Sequence, residues 1–410
     1  MRTLPFLRSA SAILALIALQ GIALAQPIKS DVRPFSVIAT ESFTAWDADR
    51  NGTLSPEEID KLVVDPKYKG EQAAALAAMK LTVRSYKIKP PELTRDFVEN
   101  HSKDPAGEAL PSELRPDPKS DVKPEVKAPR PPSSLERRYQ SALRKIKAAE
   151  RPELFLDSTP DIDKCRQGPL GDCFFVAGVG AFVHRDSQAV KRMIRQVSVP
   201  GGGVQYHVDF PAGQDITIPP LTDTQFALTS STGDDGIWLQ VLEQAYGAVR
   251  NKAKPEGKQT AEASDAIARG GSLGTTLKVL TGHAIDRTKL RANADKDADL
   301  VTKVKTNIAA AMKENRLAGA STGTTLPLPP GINGKHAYAI LGFDEGSGMI
   351  EIWNPHGNTF KPKGDAGLER GYETKAGIFK VPAADFVKIF DSMVIETSKP
   401  AEAATSSKRS

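Results

Sequence analysis

The stretch Q-G-P-L-G-D-C, from Gln167 to Cys173, is followed at once by an apolar run that continues to Val183. Its glycines and proline predict a loop, and the run predicts a buried helix that begins at the cysteine. A thiol at a helix N-terminus lies near the positive end of the helix dipole and beside unpaired backbone N–H groups, and both favour the thiolate. That arrangement suits a nucleophile. The alternative is a small buried cysteine in a core helix, which is the commoner role of this residue.

Length and composition allow one large domain with a smaller one, or two to three domains. The chain has 410 residues, of which 40% are hydrophobic. Its formal charge of +5 arises from 55 basic and 50 acidic residues that are spread along the chain without a long Lys/Arg block. This pattern is typical of a well-mixed solvated surface and carries no signature of nucleic-acid binding.

The N-terminus has the pattern of a secretory signal peptide. Arg2 and Arg8 provide a basic start, an apolar run extends from Ala10 to Ala25, and A-L-A before Gln26 is a small-residue cleavage pattern. We expect cleavage after Ala25 and a secreted or periplasmic protein. A retained membrane anchor is the alternative, but the apolar core is short for a span. No later stretch approaches 18 apolar residues, so we expect no stable membrane insertion after cleavage.

Export also bears on the two cysteines. Cys165 and Cys173 are the only ones in the chain, and they lie eight positions apart. Exported proteins commonly form disulfides, so a local disulfide between these two cysteines is possible. It would constrain the loop and remove the free thiol of Cys173. The residues of this stretch leave that alternative open.

An acidic segment, D-A-D-R-N-G-T-L-S-P-E-E from Asp47 to Glu58, matches the EF-hand loop at every diagnostic position. Gly52 lies at the sharp turn. Oxygen ligands crowded on so short a loop repel one another unless a cation such as Ca²⁺ neutralises them. The alternative is an acidic surface turn. The predicted ligands are Asp47, Asp49, Asn51, Thr53 through its carbonyl, Ser55 through water and Glu58.

A helix is predicted to leave this loop, with Ser55 as N-cap and Pro56 at its first position. EF-hands usually occur in pairs, and we place a second, degenerate loop near Asp65 to Lys80. Lys67 and Lys69 occupy positions there where oxygens are wanted.

Composition divides the chain into segments. Residues 1–25 are the signal peptide and 26–101 a small α-helical calcium-binding module. Residues 102–133 are a Pro-rich, charged and semi-rigid linker. Residues 134–398 form the main domain, and 399–410 a small polar tail that we expect to be disordered. The main domain opens with an amphipathic helix over Ser134 to Ala149.

Within the main domain, helical patterns come first and strand patterns later. Helices are predicted at Cys173, Gln188–Val197, Ile237–Val249 and Leu273–Gly282, and a hairpin at Val204–Phe210 and Asp215–Ile218. Later strands are predicted at His336–Phe343, Met349–Trp353, Gly377–Val381 and Ser392–Glu396, with a short helix at Ala383–Phe390. This order implies an α+β domain with a cleft between a helical and a β-rich half.

His336 is the best-placed base for a Cys173 nucleophile. It follows a Gly- and Pro-rich segment and opens a predicted strand, where an imidazole lies at a sheet edge. Asn354 ends the next strand, and its amide is able to hydrogen-bond the imidazole and fix its tautomer. We interpret the other histidines considered, His101, His184 and His207, as surface or satisfied core residues.

These motifs, with others in the same order, resemble the calpain family of papain-like cysteine proteases. The resemblance covers most of residues 152–398. It rests on Q-G-P-L-G-D-C-F-F at Gln167–Phe175, I-W-L-Q-V-L-E-Q-A-Y at Ile237–Tyr246, G-G-S-L-G-T-T-L-K-V-L-T-G at Gly270–Gly282, K-H-A-Y-A-I at Lys335–Ile340, W-N-P-H-G at Trp353–Gly357 and G-I-F-K-V-P-A-A-D-F at Gly377–Phe386.

The resemblance implies a papain-like, calpain-type fold and hydrolysis of peptide bonds in protein or peptide substrates. It implies a thiolate–imidazolium pair of Cys173 and His336, oriented by Asn354, with Gln167 in the oxyanion hole. Calcium at the EF-hand is the expected cofactor. A catalytically silent binding protein that uses the EF-hand for calcium-dependent interaction is the alternative, and another acyl transfer, such as transglutamination, is a further one.

Three departures separate this sequence from the family pattern. Phe174 stands where the family usually has tryptophan. His356 replaces the tryptophan that shields the Asn–His bond from water, which puts that shielding in doubt. The calcium sites of the family core find no residue-by-residue match, the usual calcium-binding C-terminal region is missing, and the EF-hand lies at the N-terminus instead.

Overall fold

The structure is a computed structural model that describes residues 32–85, 92–101, 134–149, 153–156, 160–323 and 327–400. The predicted signal peptide, the predicted linker and the predicted tail from residue 401 lie outside the described residues. The described residues from Pro34 onward belong to one compact unit. In these ranges, no helix combines the length and the apolar character that a membrane span requires.

Helices and antiparallel strands both contribute to the described ranges. The helices are α1 Phe35–Trp46, α2 Pro56–Val63, α3 Gly70–Ser85, α4 Arg95–His101, α5 Ser134–Ala148, α6 Cys173–Arg185, α7 Ser187–Met193, α8 Asp223–Leu228, α9 Trp238–Lys252, α10 Leu273–Thr281, α11 Leu300–Lys313 and α12 Ala383–Ile389. The strands are β1 Thr53–Leu54, β2 Leu93–Thr94, β3 Ile194–Ser198, β4 Val204–Phe210, β5 Gln214–Ile218, β6 His283–Lys289, β7 Ala318–Ser321, β8 Ala337–Asp344, β9 Met349–Trp353, β10 Ile378–Pro382 and β11 Ser392–Pro400.

The N-terminal part contains two helix–strand–helix units, α1–β1–α2 and α3–β2–α4. Their strands pair antiparallel, with Thr53 opposite Thr94 and Leu54 opposite Leu93. The predicted partner loop near residues 65–80 is therefore wrong. That stretch contains the start of α3, whose alanine-rich sequence favours a buried helix, and the paired strand comes only after α3.

Helix α5 joins the N-terminal units to the rest of the chain. The predicted amphipathic helix is confirmed, and its apolar face buries Leu135, Tyr139 and Leu143. This face packs against α3 and α1, and the helix also contacts α8. Tyr139 meets Phe35 of α1 edge to face, with ring centroids 6.1 Å apart. Helix α5 is thus part of the interface as well as the start of the main domain.

Polar contacts complete this interface. The Thr222 hydroxyl donates to the Val63 carbonyl over 2.6 Å, and the Gly70 N–H donates to the Asp223 carboxylate over 2.9 Å. Lys80 is buried and pairs with both Asp60 of α2 and Asp265 of the main domain. The N-terminal units are therefore held by buried charges as well as by apolar packing.

The helical half of the main domain is built around α6, α9 and α10, with the sheet β3-β4-β5 beside them. The predicted hairpin is confirmed as β4 and β5, with Gly213 at a φ of +86° in its turn. The predicted helix at residues 188–197 is partly wrong. Helix α7 ends at Met193, and β3 follows, because Ile194–Ser198 pairs with β4.

The second half is a six-stranded antiparallel sheet in the order β10-β9-β8-β7-β11-β6. The predicted strands correspond to β8, β9, β10 and β11, and β11 continues to Pro400, inside the predicted tail. Helices α11 and α12 pack with the sheet in one apolar cluster that contains Tyr338, Ile352 and Phe386. The predicted α+β architecture with two halves is confirmed.

Helix α6 packs against this sheet and so connects the halves. A Cβ atom at Gly180 would lie 2.4 Å from the Trp353 ring, so only glycine permits this approach of helix and strand. Trp353 is fully buried and directly precedes Asn354. The close packing therefore fixes the N-terminus of α6 relative to the end of β9.

Candidate active site and candidate metal centre

Cys173 is the first residue of α6, as predicted. The side chain is partly exposed. Burial raises the pKa of its thiol, and the N–H groups of Ala337, Phe174 and Cys173 itself partly offset that effect. The contact with Ala337 places the sulfur beside the residue that follows His336, so the helical and β-rich halves meet at the nucleophile.

Cys165 is buried, and its thiol donates to the Asp161 carbonyl over 3.4 Å. Burial raises the pKa of this thiol far above its ordinary value. Both cysteines are free. The disulfide that was an alternative on sequence grounds is absent between them, and Cys173 keeps its thiol.

His336 lies immediately before β8 and is only 6% exposed. Thr322 holds its backbone on both sides: the His336 N–H donates to the Thr322 hydroxyl over 3.2 Å, and the Thr322 N–H donates to the His336 carbonyl over 2.9 Å. Nε2 of the ring pairs with Oδ1 of Asn354 over 2.8 Å, as predicted. Burial and the charge of His356 lower the pKa of His336 to about 4, against the opposing effect of the Asn354 hydrogen bond.

Asn354 is 1% exposed, and hydrogen bonds occupy its whole amide. Its Nδ2 group donates to the side-chain oxygens of Asn333 and Asn358 over 3.0 and 2.9 Å. The backbone N–H of His356 donates to its Oδ1 over 3.0 Å, so Oδ1 is identified as the acceptor. His336 Nε2 must then carry a hydrogen, which leaves Nδ1 as the basic nitrogen of the neutral ring.

His356 covers the imidazole of His336. The two rings are parallel within 7°, and their centroids lie 4.4 Å apart. The replacement of the expected tryptophan had put the shielding of the Asn–His bond in doubt. In the structure the smaller aromatic ring takes that position, and both residues of the bond are buried.

The pKa directions favour a neutral resting site. Burial raises the pKa of Cys173 and lowers that of His336, so a thiol beside a neutral imidazole is the favoured state. No hydrogen bond joins the Cys173 sulfur to the His336 ring, both of which are described. The thiolate–imidazolium pair implied by the resemblance stays a prediction, and forming it requires proton transfer from Cys173 to His336.

Gln167 lies in the segment before Cys173 that we call the nucleophile loop (residues 167–172). Its backbone N–H donates to the Pro355 carbonyl over 2.8 Å, which ties the loop to the segment after β9. Its side-chain Nε2 donates to the Leu170 carbonyl over 2.8 Å, within the loop itself. An amide nitrogen has two hydrogens, and the Leu170 carbonyl accepts one of them.

The residues of the predicted calcium loop converge. Carboxylate oxygens of Asp47, Asp49 and Glu58 lie within 4.8 Å of one another, and Asp47 and Glu58 are buried. Gly52 has a φ of +82°, as the sharp turn requires. Burial alone would raise the pKa of Glu58, but hydrogen bonds from Ser55 and from the N–H groups of residues 48 and 49 outweigh it and lower that pKa. The donor set is therefore anionic oxygen, which fits calcium.

The remaining predicted ligands lie on the same loop. Asn51 accepts a hydrogen bond from the Thr53 N–H through its side-chain oxygen over 2.8 Å. Ser55 caps α2, and its side chain exchanges hydrogen bonds with Glu58 in a capping box. Glu58 thus ties the loop to the start of α2.

Sequence reasoning missed several supporting residues. Asn333 and Asn358 orient Asn354, and Thr322 positions His336. Asn333 lies three residues before His336, and Asn358 lies four residues after Asn354. This closeness in sequence to the motif residues is the signal that could have indicated their roles. Of the other histidines, His207 is bonded to Thr217 and Asp209, and His283 is bonded to Glu396, as is usual for structural side chains.

Comparison of the sequence with models of known protein families identifies one matching family. The model described as "calpain family cysteine protease" matches residues 127–366, which is more than half of the chain. The match includes Gln167, Cys173, His336 and Asn354. A search of curated proteins found no match.

Proposed function

The chain belongs to the calpain family of cysteine proteases, and we propose that it is an endopeptidase with Cys173 as its nucleophile and His336 as its acid–base residue. Asn354 orients His336 in this proposal. Gln167 and the Cys173 backbone N–H supply the oxyanion hole. The observation that carries the proposal is the buried 2.8 Å bond between His336 Nε2 and Asn354 Oδ1, because it leaves Nδ1 available as a base.

The reaction begins with proton transfer from the Cys173 thiol to His336 Nδ1 as the sulfur bonds to the carbonyl carbon of the scissile peptide. The carbonyl electron pair moves to oxygen, and the two N–H donors stabilise the resulting charge. The C–N bond then breaks, and His336 returns the proton to the departing amine. A water molecule attacks the thioester and gives a proton to His336, which passes it to the departing Cys173 sulfur.

Burial is consistent with this order of events. His336 with a pKa of about 4 is neutral over the usual working range and is ready to accept a proton. Because burial raises the pKa of the Cys173 thiol, proton transfer to Nδ1 accompanies bond formation in this proposal. The His356 ring covers one face of the His336 ring, and His336 and Asn354 are both buried.

A cysteine-directed epoxide probe and a fluorogenic peptide test this proposal in the presence of calcium and reductant. We expect single labelling at Cys173, loss of labelling and of hydrolysis in Cys173→Ser, and hydrolysis slowed about 10²–10⁴-fold in His336→Ala. Cys165→Ser is the matched control, since Cys165 is buried and bonded to a carbonyl, and it should label like the unsubstituted protein. Absence of both labelling and hydrolysis in the unsubstituted protein would instead support the catalytically silent binding protein.

Calcium is the proposed cofactor. Side-chain oxygens of Asp47, Asp49, Asn51 and Glu58, the Thr53 carbonyl and a water held by Ser55 would hold the ion. When bound, calcium supplies positive charge that neutralises the converging carboxylates and orders the loop. The support is the convergence of these carboxylates, together with the helices α1 and α2 on either side of the loop.

The proposal includes export. Residues 1–25 have the pattern of a signal peptide, and the mature protein is then expected to begin at Gln26 in the secreted or periplasmic fraction. N-terminal sequencing of the protein recovered from that fraction tests this, and a start at Met1 contradicts it.

A further inference from the structure

Glu243 of α9 is fully buried and accepts two hydrogen bonds from Ser230. The Ser230 N–H donates to one carboxylate oxygen over 2.7 Å, and the Ser230 hydroxyl donates to the other over 2.9 Å. The single hydrogen of this hydroxyl therefore points at Glu243, and its lone pairs face elsewhere.

One of those lone pairs accepts a hydrogen bond from the nucleophile loop. The Gly168 N–H donates to the Ser230 hydroxyl oxygen over 3.1 Å. Beside it, Arg166 and Ser231 exchange backbone hydrogen bonds of 2.8 and 2.9 Å. A Cβ atom at Gly168 would lie 2.2 Å from the Thr229 carbonyl oxygen, so the two segments touch at backbone level. Gln167 is thus fixed by its neighbours on both sides.

Asp172 provides a second connection to Glu243. It is fully buried, no described residue donates a hydrogen bond to its carboxyl oxygens, and its carboxyl faces Glu243. Burial and the negative charge of Glu243 raise the pKa of Asp172 well above its ordinary value. Burial also raises the pKa of Glu243, so the buried carboxyl groups of Asp172 and Glu243 disfavour ionising together. It immediately precedes Cys173.

Lys145 of α5 supplies positive charge on the other side of this cluster. Its ammonium group donates to the Thr229 carbonyl and lies close enough to interact with Glu243 and Asp172. An isolated buried carboxylate would be strongly disfavoured without such compensation. The cluster therefore combines two buried carboxyl groups, those of Asp172 and Glu243, with one lysine, and Asp172 directly precedes the nucleophile.

We infer that Glu243 is a positioning residue that holds a donor of the oxyanion hole, Gln167, through Ser230 and Gly168. This inference rests on the proposed function. The geometry makes the prediction specific. Loss of the hydrogen bonds that Glu243 accepts should impair stabilisation of the oxyanion more than it impairs the reactivity of the thiol. Oxyanion donors act by their position, so small displacements reduce the rate.

The test is Glu243→Gln in the full mature chain. The substitution keeps the shape of the side chain but replaces one acceptor oxygen with a donor that faces the donors of Ser230. We expect kcat for peptide hydrolysis to fall about ten- to hundredfold with KM changed less than about threefold. The rate of Cys173 alkylation by iodoacetamide, a displacement that forms no oxyanion, should stay within about threefold. Ser230→Ala removes the acceptor of the Gly168 N–H and should likewise lower kcat while leaving the alkylation rate nearly unchanged. This variant tests the inference if Glu243→Gln fails to fold.

Glu262→Gln is the matched control. Glu262 is an equally buried carboxylate, but it accepts hydrogen bonds from Gln225, Gln244 and Ser264, away from the nucleophile loop. We expect its kcat to stay within about threefold of the unsubstituted value. Equal losses of hydrolysis and alkylation in Glu243→Gln and Ser230→Ala, or an unchanged kcat in both, would overturn the inference. An unsubstituted protein that alkylates but hydrolyses no peptide would contradict the proposed function instead.

Discussion

The His356 ring stacks on the His336 ring with a centroid distance of 4.4 Å. His356 departs from the family pattern, and in this contact its ring covers the Asn354–His336 hydrogen bond. It also brings a second titratable group beside the base. Because a positive charge on one ring disfavours a positive charge on the other, His356 lowers the pKa of His336 in addition to the effect of burial.

The first prediction follows from this contact. His356→Phe keeps a stacked ring but removes the charge, so we expect the pKa of His336 to rise from about 4 while staying below its ordinary value, because burial remains. Titration of the His336 ring protons by NMR measures this directly. The acid limb of kcat/KM should move to higher pH in parallel, since a neutral His336 is the base that becomes protonated as pH falls. An unchanged or lower pKa would contradict the prediction.

The second prediction concerns the two amides that hold Asn354. Asn333→Ala or Asn358→Ala removes one acceptor of the Nδ2 group, and we expect each to lower kcat about threefold to tenfold. The double substitution leaves both Nδ2 hydrogens unpaired, so the amide is free to turn, and a fall of about hundredfold is expected. Asn307→Ala, at an exposed position on α11, is the control. Equal kcat values in the double variant and the control would show that the amides do not orient the site.

The third prediction concerns the interface between the N-terminal units and the main domain. Lys80 is buried between Asp60 and Asp265, so Lys80→Met leaves one buried and one partly buried carboxylate with one cationic partner fewer. Removal of one member of a buried ion cluster typically costs about 3–5 kcal/mol in the free energy of unfolding, which urea denaturation measures. Lys67→Met, which removes an exposed lysine paired with Asp65, should have a much smaller effect. Equal effects would show that the buried cluster contributes no more than a surface pair.

The site residues were predictable because local sequence determines their positions. The loop before Cys173 ends where an apolar helix begins, and His336 and Asn354 flank strands with clear β patterns, so α6, β8 and β9 begin and end within a residue or two of the predicted bounds. Long-range contacts determine the features that were missed. Strand β7, A-G-A-S, has no β-branched residue and is a strand only because it lies between β8 and β11.

The same reason explains the errors around β3 and β2. Residues 194–198 continue a helical pattern, but pairing with β4 makes them a strand. Strand β2 is two residues long, and only its pairing with β1 distinguishes it from a loop. Likewise, nothing local in the sequence around Glu243 indicates that it meets Ser230, thirteen positions earlier, and Asp172 on another element.

The final prediction concerns calcium. Calorimetric titration of the mature protein should show one site, and Glu58→Gln should weaken it by at least about tenfold, because the closing residue of the loop is a bidentate carboxylate that an amide replaces poorly. Glu57→Gln is a matched control on the same helix: it makes the same change in charge at an exposed neighbouring position and should bind calcium like the unsubstituted protein. At a calcium concentration about 100 times the Kd, binding should stabilise the protein by about 2.7 kcal/mol. Since α2 carries both Glu58 and Asp60, and Asp60 pairs with Lys80 at the interface, we expect Lys80→Met to raise the Kd for calcium in the same titration. Equal affinity in Glu58→Gln and Glu57→Gln would refute calcium binding at this loop.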